Sequence, residues 1–367
     1  MNHFSKEEIL QALRNVNDPD LKRDIVTLGM VEDIEASEKT IRFRLVLTTP
    51  ACPMKEELRE ACEEAIHRHI ANDIAVEIQF DSRITSKRKD AKEILPQVKN
   101  IICVAAGKGG VGKSTVAVNL ALSLAKSGNK VGLIDADIYG PSIPLMLGLK
   151  GKRPEIREVN GKPMIVPIEQ YGVKVVSIGF LVDERQAVVW RGPMVSTALR
   201  QFFTDCIWGE LDYLVLDLPP GTGDIHLTLV QTLPVTGAIV VTTPQEVALA
   251  DVRKAIGMFR LPNINVPIIG IVENMAYFIP QELPENKYYI FGKGGGQKIA
   301  DEYTLPLLGQ IPIVQSIREA GDAGKPVVLS DDAVSVSAFQ NFSNNCERYI
   351  AIRNATVEPT KPLEVLA

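Results

Sequence analysis

The stretch that decides the fold runs Ile101-Ile102-Cys103-Val104-Ala105-Ala106-Gly107-Lys108-Gly109-Gly110-Val111-Gly112-Lys113-Ser114-Thr115. The first six residues are an apolar run of strand length. Residues 107–114 fit GxxxxGK(S/T), and helical spacing begins at Lys113. Strand, glycine loop and helix, in that order, is the context a phosphate loop requires. Gly107, Gly109, Gly110 and Gly112 let the backbone curl, so that successive N–H groups around Lys108 and Val111 face phosphate oxygens. The helix N-terminus adds a favourable partial charge. Lys113 is then placed to reach the β- and γ-phosphates of a nucleotide, Ser114 to hold Mg2+, and Thr115 to bond a further phosphate oxygen.

Outward from this loop, short apolar runs alternate with helical segments. Strands are expected at 101–106, 130–134, 213–218, 238–242, 267–272 and 307–312, and helices near 113–127, 194–207, 225–232, 246–260, 295–303 and 333–352. That alternation predicts an α/β fold, a mostly parallel sheet covered by helices on both faces. Residues 154–180 read as a β excursion. Asp135 and Asp137 close the run LIDAD, and Asp217 closes YLVLD. Carboxylates at the C-terminal ends of parallel strands lie on the ligand side of such a sheet. Asp217 follows four apolar residues and is assigned to Mg2+ through a water, with a turn or cap role as the alternative. Asp135 reads as a supporting residue. Gly221 and Gly223 give the loop after Asp217 freedom to respond to a γ-phosphate.

The chain has 367 residues, 46% hydrophobic and 23% charged, with a net charge of −5. This is the mix of a globular protein of two to three domains. The sequence pI of about 5.6 argues against a nucleic-acid binder. No apolar run reaches the roughly 18 residues of a membrane span, and no signal-peptide pattern opens the chain. A cytoplasmic protein is expected, with no nucleic-acid or membrane partner. Residues 1–82 carry 10 basic and 17 acidic residues, whereas 83–99 carry six basic and two acidic ones. The change of sign and Pro96 mark 83–99 as a linker, read as a solvated tether in preference to a binding patch. Before it, 1–82 is expected to form a small α+β domain with strands at 30–34, 41–47 and 74–80 and an amphipathic helix over 54–70. The phosphate-loop domain should span 100–353, and 354–367 should be a loose tail.

KGGVGKST, with Lys108 early in the loop, resembles the signature of the deviant Walker P-loop ATPases, a superfamily that includes the Mrp/ApbC, ParA and MinD groups. The runs LIDADIYGPSIP, RGPM, DLPPGTGD and VENM resemble the Mrp/ApbC branch. Residues 17–20 (NDPD), 28–31 (LGMV) and 48–53 (TTPACP) resemble the small iron–sulfur assembly domain fused to many Mrp proteins. Together the two resemblances cover nearly the whole chain. They imply an ATPase, ATP and Mg2+ as cofactors, and carriage of a 4Fe-4S cluster to iron–sulfur apoproteins or work with assembly factors. They also imply a homodimer in which Lys108 reaches the partner's nucleotide, so that hydrolysis is slow and dimer-dependent. Asp137 matches the residue that orients the attacking water, making Lys108, Lys113 and Asp137 the catalytic set. Asn274 matches a residue placed against adenine. Pro312 matches the other side of the base pocket, with a strand-end turn as the alternative.

The sequence departs from that branch in one place. Its members often carry a CxxC between ENM and IFG that bridges a cluster across the dimer. Here residues 275–290 read MAYFIPQELPENKYYI, without cysteine. Among the five cysteines, Cys52 precedes a helix N-terminus that would lower its pKa, and is either a functional thiol or a structural one. Cys62 belongs to an apolar helix face. His67 and His69 do not share a helical face and are not expected to bind a metal. The glycines at 292 and 294–296 fit a helix start. The competing function is a ParA- or MinD-like positioning ATPase, a partner-binding switch. A plain ligase or kinase lacks any evident substrate site.

Overall fold

The computed structural model describes residues 4–50, 54–86, 94–138, 140–181, 192–223, 226, 229, 232–262, 264–280, 282–283, 285–358 and 360. The chain divides into two compact units, Met1–Thr85 with Ala351–Val357, and Ser86–Ile350 with Glu358–Ala367.

In the first unit, strands β1 (Val31–Ala36), β2 (Thr40–Leu47) and β3 (Ala75–Ser82) form one sheet, β1 antiparallel and β3 parallel to β2. Period-two alternation builds it. Ile41, Phe43 and Leu45 of β2 enter the core with Leu58, Cys62 and Ile66 of the helix Lys55–His69. Arg42 and Arg44 point the other way and pair with Glu77 and Asp81 of β3. The helix Lys6–Leu13 begins at a capping box between Ser5 and Glu8. His67 Nε2 lies 3.0 Å from the Ile74 carbonyl, which commits that imidazole to a structural contact. The last helix runs to Thr356, and the Asn354 side chain donates to the Thr85 carbonyl at 3.0 Å. The loose tail therefore does not begin at 354.

The second unit holds an eight-stranded sheet in the order β13-β12-β11-β4-β10-β5-β9-β8. Its members are β4 (Val98–Ala106), β5 (Val131–Asp135), β8 (Ile168–Gln170), β9 (Val173–Ser177), β10 (Leu211–Asp217), β11 (Gly237–Thr242), β12 (Ile268–Glu273) and β13 (Leu307–Gln310). All neighbours are parallel except the edge pair β8 and β9. Both faces are buried, which is why the strands read as continuous apolar runs. Ile101, Cys103 and Ala105 of β4 join the core cluster that contains Leu199, Phe202 and Phe203 of the helix Gly192–Thr204. Ile102 and Val104, equally buried, point to the opposite face, and the helix Lys113–Lys126 packs on β4, β5 and β10. The excursion expected over 154–180 is two things. β6 (Glu155–Val159) and β7 (Lys162–Val166) form a separate hairpin, while β9 joins the main sheet beside β5 and β8 closes its edge. Much of the helix expected over 225–232 lies outside the described residues. Among the described residues no helix is long and apolar enough to cross a membrane.

Candidate nucleotide site

Strand β4 feeds the glycine loop, the helix Lys113–Lys126 follows, and β5 returns two places away because β10 inserts between them. This order places the end of β10 directly under the loop. The Leu218 and Gly221 N–H groups donate to the Val104 and Ala106 carbonyls at 3.0 and 2.9 Å. Two glycines in the loop answer to geometry. Gly107 lies against the backbone of Asp251, where a Cβ would collide. Gly112 caps the helix at φ +79° and faces the Asn274 amide, which leaves no room for a side chain.

Lys113 is 6% exposed. Its Nζ lies 2.5 Å from Asp217 Oδ1, 3.3 Å from Ser114 Oγ and 3.6 Å from Asp137 Oδ2. Lys113, Ser114, Asp137 and Asp217 are thus brought together from three elements. Burial pushes the Asp217 carboxyl up from its ordinary pKa, against the opposing pull of Lys113. Its second oxygen, Oδ2, is buried with no hydrogen-bond partner among the described residues. An orphaned carboxylate oxygen beside a serine hydroxyl is the oxygen donor set a magnesium ion takes, so these residues fit Mg2+.

Asp135 pairs in register with Asp217 on one side and Ser177 on the other. It is fully buried, and its carboxyl is pushed up to about 8, first by burial and then by the Asp217 charge. Its Oδ1 accepts from the Asp137 N–H at 3.2 Å. Its Oδ2 accepts from the Ile143 N–H at 3.3 Å and from Ser177 Oγ at 2.9 Å. Ser177 carried no signal in the sequence, being a lone hydroxyl at a strand end. Asn274 donates its amide to the Val111 carbonyl at 2.8 Å, bracing the phosphate loop from below. Pro312 is buried beside it, because Ile311 donates to Glu273 and Ala276 donates to Ile311. Lys108 is half-buried, and its ammonium forms no ion pair among the described residues.

The second glycine cluster is already filled. Glu273 accepts from the Gly296 N–H at the start of the helix Gly295–Tyr303, so a side-chain carboxylate holds the place an anion would take. Cys62, Cys103, Cys206 and Cys346 are buried. Burial pushes the first three thiols up to about 12, far from the thiolate a metal needs. Cys52 lies outside the described residues. Among those described, no three His, Cys, Asp or Glu side chains gather as a metal site.

Residues 97–347 match the family model of the NUBPL iron-transfer P-loop NTPases. The chain belongs to that family. Residues 6–79 match the iron–sulfur cluster assembly protein model. The chain is 47% identical over 328 residues to an iron–sulfur cluster carrier protein of Synechocystis sp., covering 89% of this chain and 92% of that one. It is 46% identical over 339 residues to the protein of that name in Escherichia coli, covering 90% of each. A nucleotide-binding protein of Archaeoglobus fulgidus, solved in complex with ADP, superposes with a TM-score of 0.58 at 38% identity. That match covers 69% of this chain and 96% of the other. The expected fold class and the resemblance to the Mrp/ApbC branch are borne out. Nucleotide binding and hydrolysis are the chemistry of this NTPase family.

Proposed function

We propose that this NTPase binds and slowly hydrolyses Mg-ATP in iron–sulfur protein maturation, carrying clusters to apoproteins or assisting their assembly. The observation that carries this reading is the Lys113–Asp217–Asp137 constellation under a phosphate loop, in a chain that also matches an iron–sulfur assembly module. The ADP complex of the Archaeoglobus relative and the carrier names of the Synechocystis and Escherichia proteins support it.

The chain's own groups divide the work. N–H groups of residues 107–115 hold the phosphates, and Lys113 leaves Asp217 to reach the β- and γ-oxygens. Ser114 and Asp217 would hold Mg2+, which neutralises phosphate charge when bound. Asp137, on the turn after β5, orients the attacking water. Lys108 serves the nucleotide of a second copy, so one protomer is incomplete and turnover waits on a homodimer. Asn274 and Pro312 line the base side. Asn274 can offer adenine its amide oxygen while its nitrogen stays on Val111. The cluster is cargo, and its recipients are iron–sulfur apoproteins or assembly factors in the cytoplasm. With no thiol in residues 275–290 and four thiols buried, Cys52 is the cysteine left for that cargo.

Anaerobic reconstitution of wild type and Cys52→Ser, reading iron, sulfide and visible absorption per dimer, tests the cargo half. A cluster in wild type that Cys52→Ser loses is the expected result. No cluster in either, with ATP turnover intact, sinks the carrier reading and leaves an ATP-driven assembly factor.

A further inference from the structure

We propose that Ser177, acting through Asp135, is a positioning residue of the hydrolysis site. This rests on the reading of Asp137 as the residue that orients water. Ser177 ends β9 and Asp135 ends β5, and the two are register partners, both fully buried. The Ser177 hydroxyl donates to Asp135 Oδ2 at 2.9 Å and accepts from the Gly179 N–H at 3.0 Å. The hydroxyl is therefore fixed from both sides. The Ile143 N–H meets the same Oδ2 at a looser 3.3 Å. With Oδ2 held, Oδ1 is aimed at the Asp137 N–H at 3.2 Å. That bond sets the turn on which the Asp137 carboxylate stands, 3.6 Å from Lys113 Nζ.

The chain of contacts runs from the end of β9 through Asp135 to Asp137, the group proposed to orient the water. With both oxygens engaged, the Asp135 carboxyl is held in one orientation. Without the hydroxyl, Oδ2 keeps only the long contact to Ile143, and the turn carrying Asp137 loses its anchor. The turn after β9 is part of the same assembly, since Gly179 packs on Pro141 and Pro144, where a Cβ would meet both at 3.2 Å. None of these contacts involves residues 107–115 of the glycine loop.

The test measures Mg-ATP turnover, nucleotide affinity and thermal midpoint on the full chain for Ser177→Ala, Ser177→Thr and Asp137→Ala. Misplacing a catalytic group by about an ångström costs up to roughly a hundredfold in rate. Ser177→Ala is expected to lower kcat by about ten- to a hundredfold, with nucleotide affinity within about twofold of wild type. Ser177→Thr keeps a hydroxyl and is expected to recover most of the rate. A Ser177→Ala variant with wild-type kcat, beside an Asp137→Ala variant without turnover, overturns the proposal while leaving the role of Asp137 standing. Full turnover in Asp137→Ala overturns the underlying reading instead. Parallel loss of affinity, midpoint and rate in Ser177→Ala reduces Ser177 to a packing residue and also overturns it.

Discussion

Lys113 has two sets of partners to choose between. Its ammonium lies 2.5 Å from Asp217, and on the proposed reading phosphate oxygens draw it away. Lys113→Ala removes the cation from the phosphates and is expected to abolish nucleotide binding, measured by titration calorimetry. On the proposed cross-subunit role of Lys108, Lys108→Ala spares the protomer's own nucleotide contacts. It is expected to leave binding within about twofold and suppress hydrolysis by at least about tenfold. His226 makes a different prediction. It is 1% exposed, and burial pushes its imidazole below the ordinary 6.5. Below pH 6.5 the unfolded chain binds a proton there that the folded chain refuses, so stability is lost as pH falls. The loss approaches about 1.4 kcal/mol per pH unit for one such group. Denaturant melts at several pH values should show a shallower acid decline in His226→Leu; an unchanged slope would refute this. Lys113 and Asp217 were legible as isolated residues because their types and local contexts are diagnostic. Ser177 was not, since one hydroxyl at a strand end carries no local signal.

Elements were legible where their period is strong. The helix Lys113–Lys126 and the helix Gly295–Tyr303 stand where spacing and glycines place them. Strand character was legible over 154–180, but that β9 joins the main sheet was not, because parallel pairing with a partner 42 residues away has no local signature. The last helix outruns its apolar periodicity, ending at Thr356 with Arg353 and Asn354 buried. The helix Gly295–Tyr303 owes its start to β12. Glu273 accepts from Gly296 and from Gln310, the latter at 3.1 Å. Glu273→Ala leaves a buried N–H and a side-chain amide without an acceptor, at a cost of about 1–3 kcal/mol. Calorimetry should register a lower thermal midpoint. An unchanged midpoint would mean that water replaces the carboxylate.

At the scale of the molecule, the nucleotide site and the oligomer are expected to be linked. In the Asp137→Ala background, Mg-ATP should shift sedimentation from monomer to dimer, and adding Lys108→Ala should weaken the shift. A monomer at saturating Mg-ATP would remove the cross-subunit role of Lys108. Ligand at about a hundred times its Kd should also add about 2.7 kcal/mol to the NTPase unit. Motif resemblance pointed to the family, while the phosphate loop, the α/β alternation and the small α+β unit before it were readable directly from residue pattern. Those last three are local patterns: glycine freedom, helix spacing and the length of apolar runs. It takes the folded chain to show that β10 lies between β4 and β5, that Asp217, Asp135 and Ser177 stand in one register row, that Asn274 braces the loop, and that Glu273 fills the second glycine cluster. Each of those depends on pairing between strands far apart in the chain. Which strand lies beside which, and in what register, is settled by the packing of the whole sheet.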